Sequence, residues 1–488
     1  MRAPEAGWAH AEGPRGPSWL RQPGEVNDLV PALWSKTAHK NADGALVVGG
    51  VDVRDLVTEH GSPAYVLDED DFRSRARAFR DAFSDSTGWD VYYAGKAFLC
   101  TTVAGWIAEE GLCLDVCSNS ELTVALRGGV DPARIGYHGN NKTTVELRRA
   151  IDVGVGRIVV DSFHEIARLE QITAATGQKV RVMIRVTAGV EAHTHEYIAT
   201  AHEDQKFGFS ITSGDAFEAV RRVHTAPGLD LLGLHSHIGS QIFDSSGFEV
   251  AARRVLALHA RVAEDLSVEM PEMDLGGGFG IAYTTQDDPA EPAVLAEEMS
   301  KIVAHECKGL GIAEPRLSIE PGRAIAGPGT CTVYEVGTVK EVALDGPQAN
   351  RPVRFYVSVD GGMSDNIRTA LYDADYSCTL ASRRSEAPPV LGRVVGKHCE
   401  SGDIVVMDEF VPADIDAGDL LAVPATGAYC RSMASNYNHA LRPPVIAVRD
   451  GVAQVVVRRE TEDDLLATDV TPGSGGSRDG VQVDGVQL

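Results

Sequence analysis

The chain has 488 residues, 43% of them apolar and 24% charged, long enough for two or three domains with a large buried core. A formal charge of −25 argues against nucleic acid or an anionic membrane as main partner, since both are held by basic patches. No apolar stretch reads as a signal peptide or membrane span, and the eight cysteines are scattered through the chain, so reduced thiols in a cytoplasmic protein are expected.

Residues 1–44 read as an irregular arm. A segment of mixed strand and helix character follows from 45, ending in the apolar run 64–67. From 66 to 325 short apolar runs alternate with helical periods. The runs fall at 91–96, 113–118, 135–138, 157–161, 180–186, 231–238, 273–277 and 317–320. Amphipathic or alanine-rich stretches lie between them, at 101–110, 120–127, 143–153, 164–176, 213–223, 248–266 and 292–308. Eight strand-like runs separated by helices predict an α/β fold, a (β/α)8 barrel. The polar insert 187–205 carries His193, His195 and His202; without a carboxylate or cysteine frame it reads as a solvated loop, and no metal site is expected. From 326 to 460 short valine-rich runs punctuated by Gly, Pro and Asp predict an all-β domain. Residues 461–488, acidic and then Gly/Ser-rich, read as a disordered tail.

The ends of the apolar runs carry the chemistry. Lys96 closes the first and Asp115 lies near the end of the second. His235, His237 and Ser240 fall at the sixth, Gly276-Gly277-Gly278 at the seventh, and Glu320-Pro321-Gly322-Arg323 at the eighth. Alone, Lys96 reads as a surface lysine at a strand end; in an apolar pocket it would lose hydration and suit Schiff-base chemistry. A triple-glycine turn lets backbone amides approach a phosphate, and Arg323 adds a charged donor where barrels often hold one. His237 offers a ring to stack on a flat cofactor and Glu320 a carboxylate. Lysine, phosphate cradle, stacking ring and acid together suit pyridoxal 5'-phosphate.

The segments Tyr93-Ala94-Gly95-Lys96-Ala97-Phe98, His235-Ser236-His237-Ile238-Gly239-Ser240-Gln241, Gly276-Gly277-Gly278-Phe279-Gly280 and Glu320-Pro321-Gly322-Arg323 resemble the fold-type III pyridoxal-phosphate decarboxylases. Asp360-Gly361-Gly362-Met363-Ser364-Asp365-Asn366-Ile367-Arg368, Cys399-Glu400-Ser401-Gly402-Asp403 and the stretch Gly427–Asn438 narrow the resemblance to the diaminopimelate decarboxylase family. It covers about residues 45–450.

The resemblance implies a barrel plus a C-terminal β-barrel domain to which residues 45–65 contribute, in a homodimer with active sites at the interface. It implies decarboxylation of meso-2,6-diaminopimelate at its D-centre to L-lysine. Residue by residue, it implies that Lys96 carries the cofactor and His237 stacks on its ring. Ser240, Gly278, Gly322 and Arg323 gather round the phosphate, with Asp115 and Tyr429 also in the cofactor site. Glu320 meets the ring nitrogen. Arg323, Arg368 and Tyr372 would take the distal carboxylate of the substrate, with Tyr429 nearby and Glu400 on its distal ammonium. Cys399 would be the proton donor; on its own it reads as a small buried hydrophobe, but a thiol mostly protonated near neutrality fits the role. Thr369 and Cys430 stand where many relatives carry proline and glycine. The rivals are a decarboxylase of ornithine, arginine or carboxynorspermidine, a racemase, and an inactive cofactor binder. The rival substrates lack the distal amino-acid head that would need Arg368 and Glu400, and such racemases usually place arginine where Glu320 stands.

Overall fold

The computed structural model describes residues 16–189, 206–344 and 353–470. The arm is not wholly irregular: His39–Lys40 pairs with Leu46–Val48, which pairs in turn with Val51–Asp52. The first five-residue strand, β1 (Ala64–Asp68), is buried throughout.

Eight strands then build the barrel: β2 (Asp90–Ala94), β3 (Cys113–Val116), β4 (Ile135–Tyr137), β5 (Arg157–Val160), β6 (Val180–Thr187), β7 (Leu229–His235), β8 (Glu272–Asp274) and β9 (Arg316–Ile319). Every neighbouring pair is parallel, and β9 returns to β2 through Ser318 opposite Asp90 and Ile319 opposite Val91, closing the ring. The expected barrel is therefore present, with a helix on most of its crossovers. Those helices start where side chains take up the free backbone N–H groups: Ser118 caps Asn119–Arg127, Ser162 caps Phe163–Thr176, and Thr143 with Glu146 forms a capping box. Short strands buried on both faces explain why the sequence shows continuous apolar runs instead of alternation.

Beyond the barrel lie β10 (Thr330–Ala343), β11 (Val353–Val359), β12 (Pro389–Val395), β13 (Ile404–Pro412), β14 (Leu420–Val423), β15 (Val445–Arg449) and β16 (Val452–Val457). They join one sheet in the order β13-β12-β11-β10-β1-β15-β16, with β14 also on β10. β1 is antiparallel to β10 and parallel to β15, so a strand from before the barrel lies inside the sheet that follows it. The segment expected to be tail from 461 instead opens with a helix, Glu462–Leu466, because Thr461 and Asp464 form a capping box. His193, His195 and His202 lie outside the described residues, as do residues 471–488. Among the described residues no helix is long and apolar enough to cross a membrane.

Candidate active site

The loops at the C-terminal ends of the barrel strands surround a cavity of about 850 Å³. Lys96, His237, Ser240, Gly278, Glu320, Gly322, Arg323, Arg368, Tyr372 and Tyr429 all line it. Lys96 sits in the turn after β2 and is exposed at the cavity, so it is not enclosed in apolar surroundings. Asp115, on β3, is buried just behind the lining.

Polar contacts inside the barrel shape this mouth. Arg157, 1% exposed, donates to Asp274 and, at 3.0 Å, to Ser318 Oγ, and its guanidinium lies 3.7 Å over the Tyr92 ring. Asp274 Oδ1 in turn accepts from Gly276 N at 2.6 Å, fixing the start of the glycine turn. That turn admits only glycine: at Gly276 φ is +73° and a Cβ would fall 2.3 Å from Ser236 O, while one at Gly277 would fall 2.2 Å from Glu320 O. Gly277 N donates to His237 Nδ1 at 3.1 Å, which leaves the ring's proton on Nε2. Burial, followed by the Lys96 charge, holds His237 well below the ordinary imidazole range, so the ring is neutral.

Glu320 follows β9. His235 Nε2 donates to its Oε1 at 2.8 Å, and His138 Nε2 lies 3.3 Å from the same oxygen and 3.0 Å from Asp115 Oδ1. Burial and the Asp115 carboxyl push the Glu320 carboxyl up, but the two imidazoles outweigh them and hold it below its ordinary value. Burial pushes Asp115 up to about 7 and His138 down to about 3.

Two arginines meet at the outer wall. Arg323 donates to Tyr283 Oη and, at 2.9 Å, to Ser240 Oγ. Arg368, in the helix Arg368–Tyr372, donates to Tyr376 Oη at 2.7 Å and lies 4.7 Å over the Tyr283 ring. Asp287 Oδ2 accepts from Tyr283 N at 2.9 Å and Gln241 clasps Ile281 through both its amide atoms, which pins the loop carrying Tyr283. The Cys430 thiol is buried 3.6 Å from Tyr376 Oη, filling space beside Arg368.

Cys399 and Glu400 are not brought to this cavity. Both are exposed on a turn between β12 and β13, where Cys399 N donates to Asn438 Oδ1 at 3.2 Å. Asp403 organises the turn, accepting from His398 N at 2.8 Å and Met363 N at 2.6 Å. Sequence reasoning missed His138, Tyr283, Tyr376 and Arg157. His138 had the same signal as Lys96, a polar residue closing an apolar run, but no motif around it.

The residues present fit pyridoxal phosphate. Arg323 Nε is buried without a partner among the described residues, its Nη2 donates to the Ser240 hydroxyl, and Gly278 lines the same cavity. A side chain at Gly278 would meet Gly239 O and Ile242 at 2.8 Å, so the cradle exists only with glycine. A lysine, a neutral imidazole and an ionised carboxylate share the same cavity.

Barrel and cavity define a pyridoxal-phosphate-dependent decarboxylase, and residues 69–327 match the family described as pyridoxal-dependent decarboxylase, pyridoxal binding domain. Diaminopimelate decarboxylase of Mycobacterium tuberculosis (strain H37Rv) is 54% identical over 450 residues, 91% of this chain and 99% of the relative. That of Bacillus subtilis is 44% identical over 435 residues, 89% and 97% of the two chains. The crystal structure of diaminopimelate decarboxylase from M. jannaschii in complex with L-lysine superposes with a TM-score of 0.82 at 28% identity, covering 90% of this chain and 99% of that one. The chain belongs to the diaminopimelate decarboxylase family of carboxy-lyases.

Proposed function

We propose that this chain decarboxylates meso-2,6-diaminopimelate at its D-centre, yielding L-lysine and carbon dioxide as the last step of lysine biosynthesis. The observation that carries the reading is the pair Arg323 and Arg368 set into the wall of the cavity that holds Lys96. A substrate with a second amino-acid head needs a fixed cation in the same cavity as the reacting end, and a guanidinium can grip a carboxylate with two bonds.

Bound pyridoxal phosphate supplies an electron sink for the pair left behind when carbon dioxide departs. Lys96 holds the cofactor and His237, kept neutral, packs against its ring. Ser240, Gly278, Gly322 and Arg323 hold the phosphate, with Tyr429 alongside and Asp115 behind. Glu320, ionised, keeps the ring nitrogen protonated. Arg323, Arg368 and Tyr372 orient the distal carboxylate, and Tyr429 closes that side. Glu400 takes the distal ammonium and Cys399 gives a proton to the substrate carbon.

Because Cys399 and Glu400 face solvent away from their own cavity, we place them in the site of a second copy, making the enzyme a homodimer with shared sites. Eight free cysteines support a cytoplasmic location. The test is product analysis with the protein, pyridoxal phosphate and meso-diaminopimelate: L-lysine and carbon dioxide in equal amounts are expected. No lysine, with a normal cofactor spectrum, would overturn the substrate assignment. Mixing inactive Lys96→Ala and Cys399→Ala chains should restore about a quarter of wild-type activity after random reassociation; no recovery would overturn the shared site.

A further inference from the structure

Arg323 and Arg368 are both buried in the cavity wall, and every side-chain acceptor they have among the described residues is a hydroxyl. Arg323 donates to Tyr283 and Ser240, and Arg368 donates to Tyr376. Buried arginines elsewhere in the chain meet carboxylates: Arg157 is paired with Asp274 and Arg354 with Asp408. The difference has a chemical consequence. A carboxylate would fix a guanidinium but also neutralise it, and would occupy the fork that a substrate carboxylate needs. A phenol fixes it and leaves the charge available.

Tyr376 holds Arg368 in this way. Arg368 Nη1 donates to Tyr376 Oη at 2.7 Å, and the guanidinium carbon lies 5.7 Å from the centre of that ring and 4.7 Å from the centre of Tyr283. The two rings meet edge to face with centroids 5.1 Å apart. Behind the hydroxyl stands Cys430, its Sγ 3.6 Å from Tyr376 Oη and 3.5 Å from Asn366 Oδ1. Asn366 Oδ1 also accepts from Arg368 N at 3.3 Å, so these contacts close a ring that starts and ends on Arg368. Burial pushes the Tyr376 phenol well above its ordinary range and the Cys430 thiol up to about 11, which keeps both braces neutral.

We infer that Tyr376, backed by Cys430, is a positioning residue that holds the Arg368 guanidinium for the distal carboxylate of the substrate without neutralising it, and so sets the preference for a substrate that carries that carboxylate. This rests on the reading of Arg368 as the partner of that carboxylate.

The experiment compares wild-type holoenzyme with Tyr376→Phe, Cys430→Ala and Arg368→Gln. It reads kcat and KM for meso-diaminopimelate, cofactor affinity, and inhibition by two competitors: L-lysine, which keeps the distal carboxylate, and cadaverine, which lacks it. Tyr376→Phe removes one hydrogen bond to a charged group and should raise KM, and the L-lysine inhibition constant with it, about 10- to 100-fold. Its kcat, cofactor affinity and cadaverine inhibition constant should stay within about threefold. Cys430→Ala takes away the weak partner behind the hydroxyl and should move KM and the L-lysine constant the same way, by about two- to fivefold. Should Tyr376→Phe fail to fold, Cys430→Ala decides, and unchanged constants in it overturn the inference. If Arg368→Gln raises KM and the L-lysine constant while Tyr376→Phe leaves both unchanged, the inference is overturned and the role of Arg368 stands. If Arg368→Gln itself leaves them unchanged, the role of Arg368 falls and the inference with it. Equal weakening of L-lysine and cadaverine in Tyr376→Phe, or loss of cofactor in step with the rise in KM, would overturn the inference by making Tyr376 a structural brace alone.

Discussion

Replacing Arg157 with methionine removes one partner of a buried charge pair while keeping most of the volume. Arg157 and Asp274 are 1% and 0% exposed, and the guanidinium also donates to Ser318 and covers the Tyr92 face. Stranding a buried carboxylate in this way costs about 3–5 kcal/mol, a large share of the ~5–15 kcal/mol that holds a folded chain together. With an unfolding entropy of about 2.1 cal/mol/K per residue, a chain of this length has about 1 kcal/mol/K, so Tm should fall by about 3–5 °C. Asp274 also holds Gly276 N, so the phosphate cradle should loosen and cofactor affinity should drop together with Tm. Thermal unfolding by circular dichroism at fixed pyridoxal phosphate concentration, with a cofactor titration, measures both. The double variant Arg157→Met, Asp274→Asn should recover much of the loss, because no unpaired carboxylate remains. A single variant that loses less than about 1 °C, or a double variant no better than the sum of its parts, would refute the reasoning.

Asp115 and His138 should give opposing pH dependences of stability in the cofactor-free protein. Asp115 keeps its proton up to about pH 7 in the fold, against an ordinary 3.8, so its contribution is present at low pH and is lost as pH rises through that window. His138 stays neutral down to about 3, against an ordinary 6.5, so its contribution is gained as pH rises over that range. Wild type should therefore change little between about pH 4 and 6.5, Asp115→Asn should gain stability with pH and His138→Gln should lose it; equal slopes in urea midpoints would sink the pairing. Gly277→Ala places a methyl 2.2 Å from Glu320 O and should abolish cofactor binding or folding, so a fully loaded, stable variant would contradict the turn geometry. Cys399→Ala should lower turnover far more than cofactor affinity, and full-rate lysine formation would remove its role as proton donor.

The barrel was legible because its parallel strands are buried on both faces and show as eight uninterrupted apolar runs, each ending where the structure ends a strand within a few residues. Lys96, His237, Glu320 and Arg323 were legible for the same reason, since a polar group closing such a run points at the mouth. His138 was passed over because its strand is only three residues long and its partner Asp115 lies 23 positions away. Tyr283 and Tyr376 sit in loops, where spacing carries no periodic signal, and their value comes from Arg323 and Arg368 folding over them. Cys399 and Glu400 were singled out by motif alone. In a single chain nothing local joins them to Lys96.

The placement of β1 decides how this protein can be cut and how it must be made. A fragment starting after the barrel would lack the strand that β10 and β15 both bind, and would expose two hungry sheet edges to its neighbours. During synthesis β1 leaves the ribosome long before β10 and β15 exist, so it waits while the whole barrel forms. The two ends of the barrel stay tied to one sheet, and neither half of the enzyme can be inherited, swapped or shed without the other.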